Sequence, residues 1–277
     1  MNIILTGIAR SGTTLSCALL NELPQCVALF EPLNPADLVG LDFPDGYLAA
    51  IAAFFASQRA ALLATGTAIS TAREGRVPDN PFAAAPEPGS LRSATVARQE
   101  VRFDKRLGSD FRLVVKHPNF FTATLATLLP VYPCFAIVRN PLAVLMSWHS
   151  IEAPVNTGRV PFGEAFDADL KAALAAEPDL LERQCTILRW CFSRYAAILP
   201  RDHVIRYEDL VASGGRALAV IDPEAASLAA PLASRNVNGL YDAGLVRRFA
   251  ARLLEEESMY AAFYGRDDVR DLCRAWT

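Results

Sequence analysis

The first fourteen residues, MNIILTGIARSGTT, constrain the fold more than any other part of the chain. Ile3 to Thr6 is a short aliphatic and β-branched run that predicts a strand, and Thr13 to Leu23 has helical periodicity. Between them Gly7 and Gly12 stand five apart, so the segment reads strand, glycine-bounded loop, helix. In such a loop, backbone N–H groups and a helix N-terminus converge on an anion. The pattern is close to the phosphate-binding G-x-x-x-x-G-K-[ST], with Thr13 standing where a lysine would reach a β- or γ-phosphate. Arg10 supplies a cation from inside the loop instead. The change argues against a triphosphate with Mg²⁺ and for a ligand with one phosphate here and a transferable group near Arg10. A strand-to-helix turn that binds nothing has the same local pattern, so the loop alone does not decide.

Further strands are expected at Val27 to Phe30, Arg112 to Lys116, Phe135 to Arg139 and Val204 to Tyr207. Helical periodicity separates them, at Phe120 to Leu129, Leu142 to Ile151 and Leu180 to Leu199. Runs such as FAIVR and LVVK lack period-two alternation, as strands buried on both faces do. The expected class is therefore α/β: a P-loop-like, doubly wound, mostly parallel sheet flanked by helices. One domain is expected over residues 1–277, with a loop-rich insertion at about 66–111. Within it the Pro/Gly-rich Thr71 to Gln99 reads as a long loop, of a length that is functional or disordered, and Pro154 to Phe162 is a second irregular piece. Asp242 to Tyr264 reads as a helix packing back on the core, and Glu255 to Glu257 as its solvated face.

With 27 Lys and Arg against 30 Asp and Glu, the formal net charge of −3 argues against nucleic acid as a partner. Six scattered cysteines form no CxxC pair, no histidine stands at zinc-ligand spacing, and no metal site is expected. Free thiols inside apolar runs suit a reducing, cytoplasmic setting. The N-terminal apolar stretch is too short for a signal peptide, and Leu48 to Ala64 is interrupted by Ser57, Gln58 and Arg59, so no membrane span is expected. The oligomeric state is open.

A second constellation follows Phe135 to Val138. Arg139 closes that strand, Asn140-Pro141 opens a helix, and Ser147 lies eight residues after the arginine. A guanidinium at a sheet's carboxyl edge grips phosphate in bidentate fashion, and a hydroxyl two turns on can join it. An ion-paired edge arginine beside a solvated serine is the competing reading.

RSGTT after a short strand, RNPLAVLMSW with Arg and Ser eight apart, and VIRYEDL after a further strand together resemble the PAPS-dependent sulfotransferases. PAPS is 3′-phosphoadenosine 5′-phosphosulfate, and the branch brought closest is the bacterial type like the carbohydrate and tyrosyl-protein enzymes. The resemblance covers Ile3 to Glu31 and Leu113 to Leu210. It implies that Arg10, Ser11, Gly12, Thr13 and Thr14 form the 5′-phosphosulfate loop and that Arg139 and Ser147 hold the 3′-phosphate. It further implies that Tyr207 lies against the adenine and that Ser234 and Arg235 belong to a C-terminal loop touching the 3′-phosphate. The RKG loop of the cytosolic enzymes is absent.

Sulfuryl transfer to an alcohol needs a base for the hydroxyl proton, a cation for the leaving phosphate and in-line geometry, and it needs no metal. Arg10 can serve the leaving group. Glu31, ending the second strand, is the expected general base and resembles a glutamate that relatives place there. His117 is its rival. Adjacent Lys116 and His117 would face opposite sides of a strand, unlike the cytosolic K-T-H order. Lys116, followed by Pro118, resembles a K-x-P element contacting the sulfuryl group or the acceptor, and equally suits a lysine extended along a strand end. His149 is read as a packing residue, His203 as strand-edge solvent, and Glu208 with Asp209 as a local cap. The expected activity is transfer of a sulfuryl group from PAPS to a hydroxyl of a glycan, lipid or other small-molecule acceptor, releasing adenosine 3′,5′-bisphosphate. A P-loop small-molecule kinase or NTPase and a non-catalytic nucleotide-binding module are the alternatives.

Overall fold

The computed structural model describes residues 1–84, 90–239 and 241–276. Five parallel strands form the central sheet: β1 (Asn2–Gly7), β2 (Cys26–Phe30), β5 (Arg112–Lys116), β6 (Cys134–Val138) and β7 (Val204–Arg206). Their spatial order is β2-β5-β1-β6-β7. The fold is thus α/β with a parallel, helix-flanked sheet of P-loop-like order. From the central β1 the chain runs out to one edge, returns, then crosses to the other edge. A crevice is left at β1 where the direction of winding reverses, beyond the strands' carboxyl ends.

Alternate side chains of each strand enter two separate cores, which is why the strands read as continuous apolar runs. Ile3, Leu5, Ala28, Val114 and Ile137 lie in one. Ile4, Val27, Leu29, Val115 and Val138 lie in the other, larger one. Helix α1 (Thr13–Leu20) covers the first face through Cys17, Leu19 and Leu20. The helices Pro141–Trp148 and Leu180–Ile198 cover the second.

The insertion holds more structure than its composition predicts. Strands β3 (Thr67–Ala72) and β4 (Ala97–Arg102) pair antiparallel as a separate two-stranded sheet, inside the span expected to be loop. Residues 85–89 of that span lie outside the described residues. Ahead of it, helix α2 (Asp45–Thr65) runs 21 residues. By length and composition it is apolar enough to cross a membrane, contrary to the expectation that no segment would be. The interruption at Ser57 to Arg59 does not break it, because these polar groups find partners along one side. Gln58 Oε1 accepts from the Ile69 N–H, and Arg59 donates to the Met1 and Phe111 carbonyls. Tyr47, Ile51, Phe55 and Leu62 bury that side.

Three other expectations change. The run Phe120 to Leu129 is two short helices, Phe120–Ala123 and Leu125–Leu128, broken at Thr124. His203 stacks on Phe135 at 4.4 Å between ring centres and its Nδ1 meets the Cys134 carbonyl, so it is not a solvent residue. The helix expected over Asp242 to Tyr264 ends early: it spans Ala243–Glu255 with Asp242 as its N-cap, and a further helix, Arg266–Arg274, follows. Glu256 just beyond it is bound by Arg189 and Arg252 instead of lying on a solvated face.

Candidate active site

A cavity of about 670 Å³ runs along the carboxyl edge of the sheet, and residues following all five strands line it. Arg10 to Leu15, except Ser11, come from the loop after β1 and the first turn of α1. Glu31 follows β2, Lys116 and His117 close β5, Arg139 follows β6 and Tyr207 follows β7. Among the described residues six basic side chains reach the cavity, Arg10, Arg92, Lys116, Arg139, Arg159 and Arg235, against two carboxylates, Glu31 and Asp79.

The loop after β1 has the form the two glycines require. Gly7 sits at φ 151°, and a Cβ there would meet the Ile137 carbonyl oxygen at 2.4 Å. Gly12 sits at φ 96°, and a Cβ there would strike the Tyr207 ring at 2.8 Å. Between them Arg10 adopts a left-handed φ of 73°. Ser11 is turned inward: its hydroxyl donates to the Ile137 carbonyl at 2.7 Å and its N–H to the Ile8 carbonyl. Its side chain shapes the loop and does not line the cavity. Trp148 clamps the loop from behind, its indole N–H donating to the Ala9 carbonyl at 2.9 Å. The helix N-terminus that follows offers unpaired N–H groups at Thr13 and Thr14, both cavity-lining.

Arg10 Nε donates to Ser147 Oγ at 3.3 Å, Nη2 donates to Asn80 Oδ1 at 3.1 Å, and the guanidinium lies 4.8 Å from the Phe82 ring centre. Burial first, then neighbouring Arg92 and Arg139, pushes this guanidinium well below its ordinary value. A cation so placed gains from an anion beside it. Ser147, expected to share a phosphate with Arg139, accepts from Arg10.

Arg139 is a brace. Its Nη1 donates to the Arg10 carbonyl at 2.9 Å, Nη2 to the Arg235 carbonyl at 2.6 Å, and Nε to Asn236 Oδ1 at 2.7 Å. The Tyr207 ring lies 4.5 Å beneath it, and the Tyr207 hydroxyl accepts from the Arg235 N–H. Tyr207, expected against a base, is buried between Gly12 and Arg139. Asn236 Nδ2 donates in turn to Glu208, which also accepts from the Asn140 N–H and the Tyr264 hydroxyl. Glu208 is thus a local anchor, as its position after Tyr207 suggests. Arg235 lines the cavity and pairs with Asp79 at 3.5 Å, whereas Ser234 lies outside it, its hydroxyl accepting from the Asn236 N–H.

Across the β1 loop, Glu31 Oε1 accepts from Lys116 Nζ at 2.7 Å, and Lys116 also reaches Thr14 Oγ1 at 3.4 Å. Lys116 is almost wholly buried and lies over the Phe30 ring. Burial raises the Glu31 carboxyl, but Lys116 and His117 outweigh it and hold Glu31 below the usual carboxylate range. Glu31 itself sits at φ 43°. Its N–H donates to the Lys116 carbonyl, and its own carbonyl accepts from the Thr71 hydroxyl. His117 does not face away from Lys116. Strand β5 stops at Lys116, so the alternation that would separate the two ends with it, and both line the cavity. Burial lowers the His117 ring, whose Nε2 meets the Leu33 carbonyl at 3.3 Å. His149 bonds Gln184 and stays apart from the site.

Several lining residues escape sequence reasoning. Asn80 and Phe82 reach Arg10 from the insertion, and Arg92 is tied to Ser150 through its N–H, Nε and Nη2. Asn119 sits at φ 47°, and its buried Oδ1 has no hydrogen-bond partner among the described residues. Of the four non-glycine residues described at positive φ, three (Arg10, Glu31 and Asn119) line this cavity. Such conformations collect at functional sites. Positive φ leaves no mark in sequence unless glycine or asparagine occupies the position, and Asn119 alone carries that hint.

No protein-family model matches the chain, and no curated protein matches it. Among solved structures it is similar to the sulfotransferase STF9 from Mycobacterium avium, at 14% identity and a TM-score of 0.35, covering 99% of this chain and 75% of that one. It is also similar to the sulfotransferase STF1 from Mycobacterium tuberculosis H37Rv, at 15% identity and a TM-score of 0.33, covering 99% of this chain and 76% of that one.

Proposed function

We propose that the chain binds PAPS and transfers its sulfuryl group to an acceptor hydroxyl, releasing adenosine 3′,5′-bisphosphate. The observation that carries this reading is the division of one cavity by strand order. The anion-binding loop lies at the centre, guanidinium groups lie toward β6 and β7, and an ionised Glu31–Lys116 pair lies toward β2 and β5. Four strand spacings of about 4.8 Å span about 19 Å, room for a nucleotide and an acceptor end to end.

The basic residues fit a ligand with two phosphates. The N–H groups of Thr13 and Thr14 with Lys116 face the 5′-phosphosulfate. Arg10, Ser147, Arg92 and Arg235 gather on the side of the 3′-phosphate, where Asn80 and Asp79 now occupy two of the guanidiniums. The donor, when bound, supplies the sulfuryl group. Glu31 takes the acceptor's hydroxyl proton as its oxygen bonds to sulfur. Lys116 and the N–H groups of Thr13 and Thr14 stabilise the charge left on the 5′-phosphate oxygen as its bond to sulfur breaks. Because Lys116 spans Glu31 and Thr14, an anion on the loop draws it off Glu31 and leaves that carboxylate free to accept a proton. We place the protein in the cytoplasm, where its six free cysteines stay reduced.

A kinase of this architecture would need a carboxylate for magnesium beside a strand end; Glu31 and Asp79, the two on the cavity among the described residues, are each held by a basic side chain. The test is transfer of ³⁵S from labelled PAPS to a panel of alcohols, phenols and sugars. Labelled product, lost in Glu31→Gln, supports the reading; transfer of ³²P from labelled ATP with no ³⁵S product overturns it in favour of the kinase.

A further inference from the structure

We propose that the acceptor is an alcohol or phenol carried on an apolar body, seated at the β2/β5 end of the cavity with its hydroxyl between Glu31 and Asn119. The inference rests on the donor reading above, which assigns the opposite end to the nucleotide.

The walls of the β2/β5 end are apolar. Phe30 and Pro118 flank Glu31 and Lys116, and Val160 and Phe162 line the cavity at the start of the helix Pro161–Phe166, which packs on Phe120–Ala123. Phe162 meets His117 edge-on at 6.3 Å, and His117 rests on Phe120 and Phe121 at 5.3 and 5.8 Å. Phe162 is 42% exposed, so an aromatic side chain stands at the rim of the cavity, open to a ligand. Exposed aromatic surface beside an apolar pocket binds apolar bodies by burial.

The polar groups of this end are few and mostly engaged. His117 Nε2 is turned to the Leu33 carbonyl, and Arg159 is bound by the buried Glu164. Glu31 and the Asn119 amide remain. The buried Oδ1 of Asn119 has no partner among the described residues, and Asn119 is held at φ 47° and ψ −54°, a conformation that aims its side chain at a cost in backbone energy. Oδ1 is enclosed, whereas Nδ2 is not among the enclosed unpartnered atoms, so the amide nitrogen is the group Asn119 offers to the cavity it lines. The acceptor oxygen then takes a hydrogen bond from Asn119 while its proton faces Glu31. A sugar carries hydroxyls all round its ring, and most of them would lose water here without gaining a partner.

The probe is 2-naphthol, whose fluorescence reports binding to protein preloaded with adenosine 3′,5′-bisphosphate. The preloading titration reads bisphosphate affinity by itself; absence of bisphosphate binding overturns the donor reading, a failure distinct from that of the apolar acceptor. Saturable naphthol binding is expected, and N-acetylglucosamine in roughly hundredfold excess should not displace it. Phe162→Asp should weaken naphthol binding by about tenfold or more and leave bisphosphate affinity within about twofold. Asn119→Ala should lower kcat for sulfuryl transfer to naphthol by about tenfold with the donor KM unchanged. Displacement by the sugar, or naphthol binding unaltered in Phe162→Asp, overturns the apolar acceptor. An unchanged kcat in Asn119→Ala removes that residue from the site.

Discussion

Glu31 combines three properties that rarely meet by accident: a left-handed backbone, a lysine at 2.7 Å and a place at the rim of the cation-lined cavity. Its carboxyl is held below the usual range, so it is ionised and able to accept a proton throughout neutral pH. The direction fixes a pH profile. A base with a lowered value loses activity only when pH falls below that value, so kcat/KM should be flat from about pH 6.5 to 8.5. An acid limb with its midpoint in the imidazole range, below the ordinary value because burial lowers the ring, would instead assign the base to His117. Glu31→Gln should lower kcat by about 10²- to 10⁴-fold with bisphosphate affinity unchanged. Gly7 offers a purely structural test. Gly7→Ala places a methyl 2.4 Å from the Ile137 carbonyl at a φ of 151°, and chemical denaturation should show a loss of about 3 kcal/mol. Arg10, Glu31 and Lys116 were legible from residue type at a strand end. Asn119, Arg92 and Asn80 were not, because their roles come from segments that meet only in three dimensions.

Among the elements, the β3–β4 hairpin positions the candidate base. The Ser70 hydroxyl accepts from the Phe30 N–H and the Thr71 hydroxyl donates to the Glu31 carbonyl, so the hairpin pins the end of β2 from outside the main sheet. The sequence hides this hairpin: β3 alternates with small residues, TAISTA, and β4, ARQEVR, buries only Val101. Neither has the aliphatic run that marks the parallel strands. On the opposite side, the segment Ser234 to Asn236 is locked by Arg139, Tyr207 and Glu208. Asn236→Ala should strip the buried Arg139 of one charged hydrogen bond and cost about 2 kcal/mol, read as a lowered urea midpoint. If stability is unchanged, Arg139 is not the brace described. The sequence places Arg139 at the carboxyl edge of the sheet but carries no sign of the partners that hold it there. Of the three oxygens Arg139 engages, two belong to a loop about a hundred residues away and the third is the Arg10 carbonyl.

At the scale of the whole molecule, strand order does what no single motif can. β1 carries the loop at the centre, and the two directions of winding put cations on one side and the Glu31–Lys116 pair on the other. The parallel order was readable from alternating strand and helix patterns, since both faces of each strand are apolar. Which side of the crevice each residue occupies was not, because that depends on crossovers. A ligand that binds the folded chain alone raises its stability by mass action, by about 2.7 kcal/mol at 100 times Kd. Adenosine 3′,5′-bisphosphate without metal should therefore raise Tm by about 5 °C, more than ATP with Mg²⁺ does. The central claim is that one cavity holds two phosphate groups of one nucleotide through side-chain cations and a helix N-terminus. Isothermal titration of adenosine 3′,5′-bisphosphate against adenosine 5′-phosphate, both in EDTA, tests it most directly. One-to-one binding, at least about tenfold tighter for the bisphosphate and reduced to the monophosphate's level in Arg10→Ala, is the predicted result. Equal affinity for the two nucleotides, or no binding until magnesium is added, would contradict it.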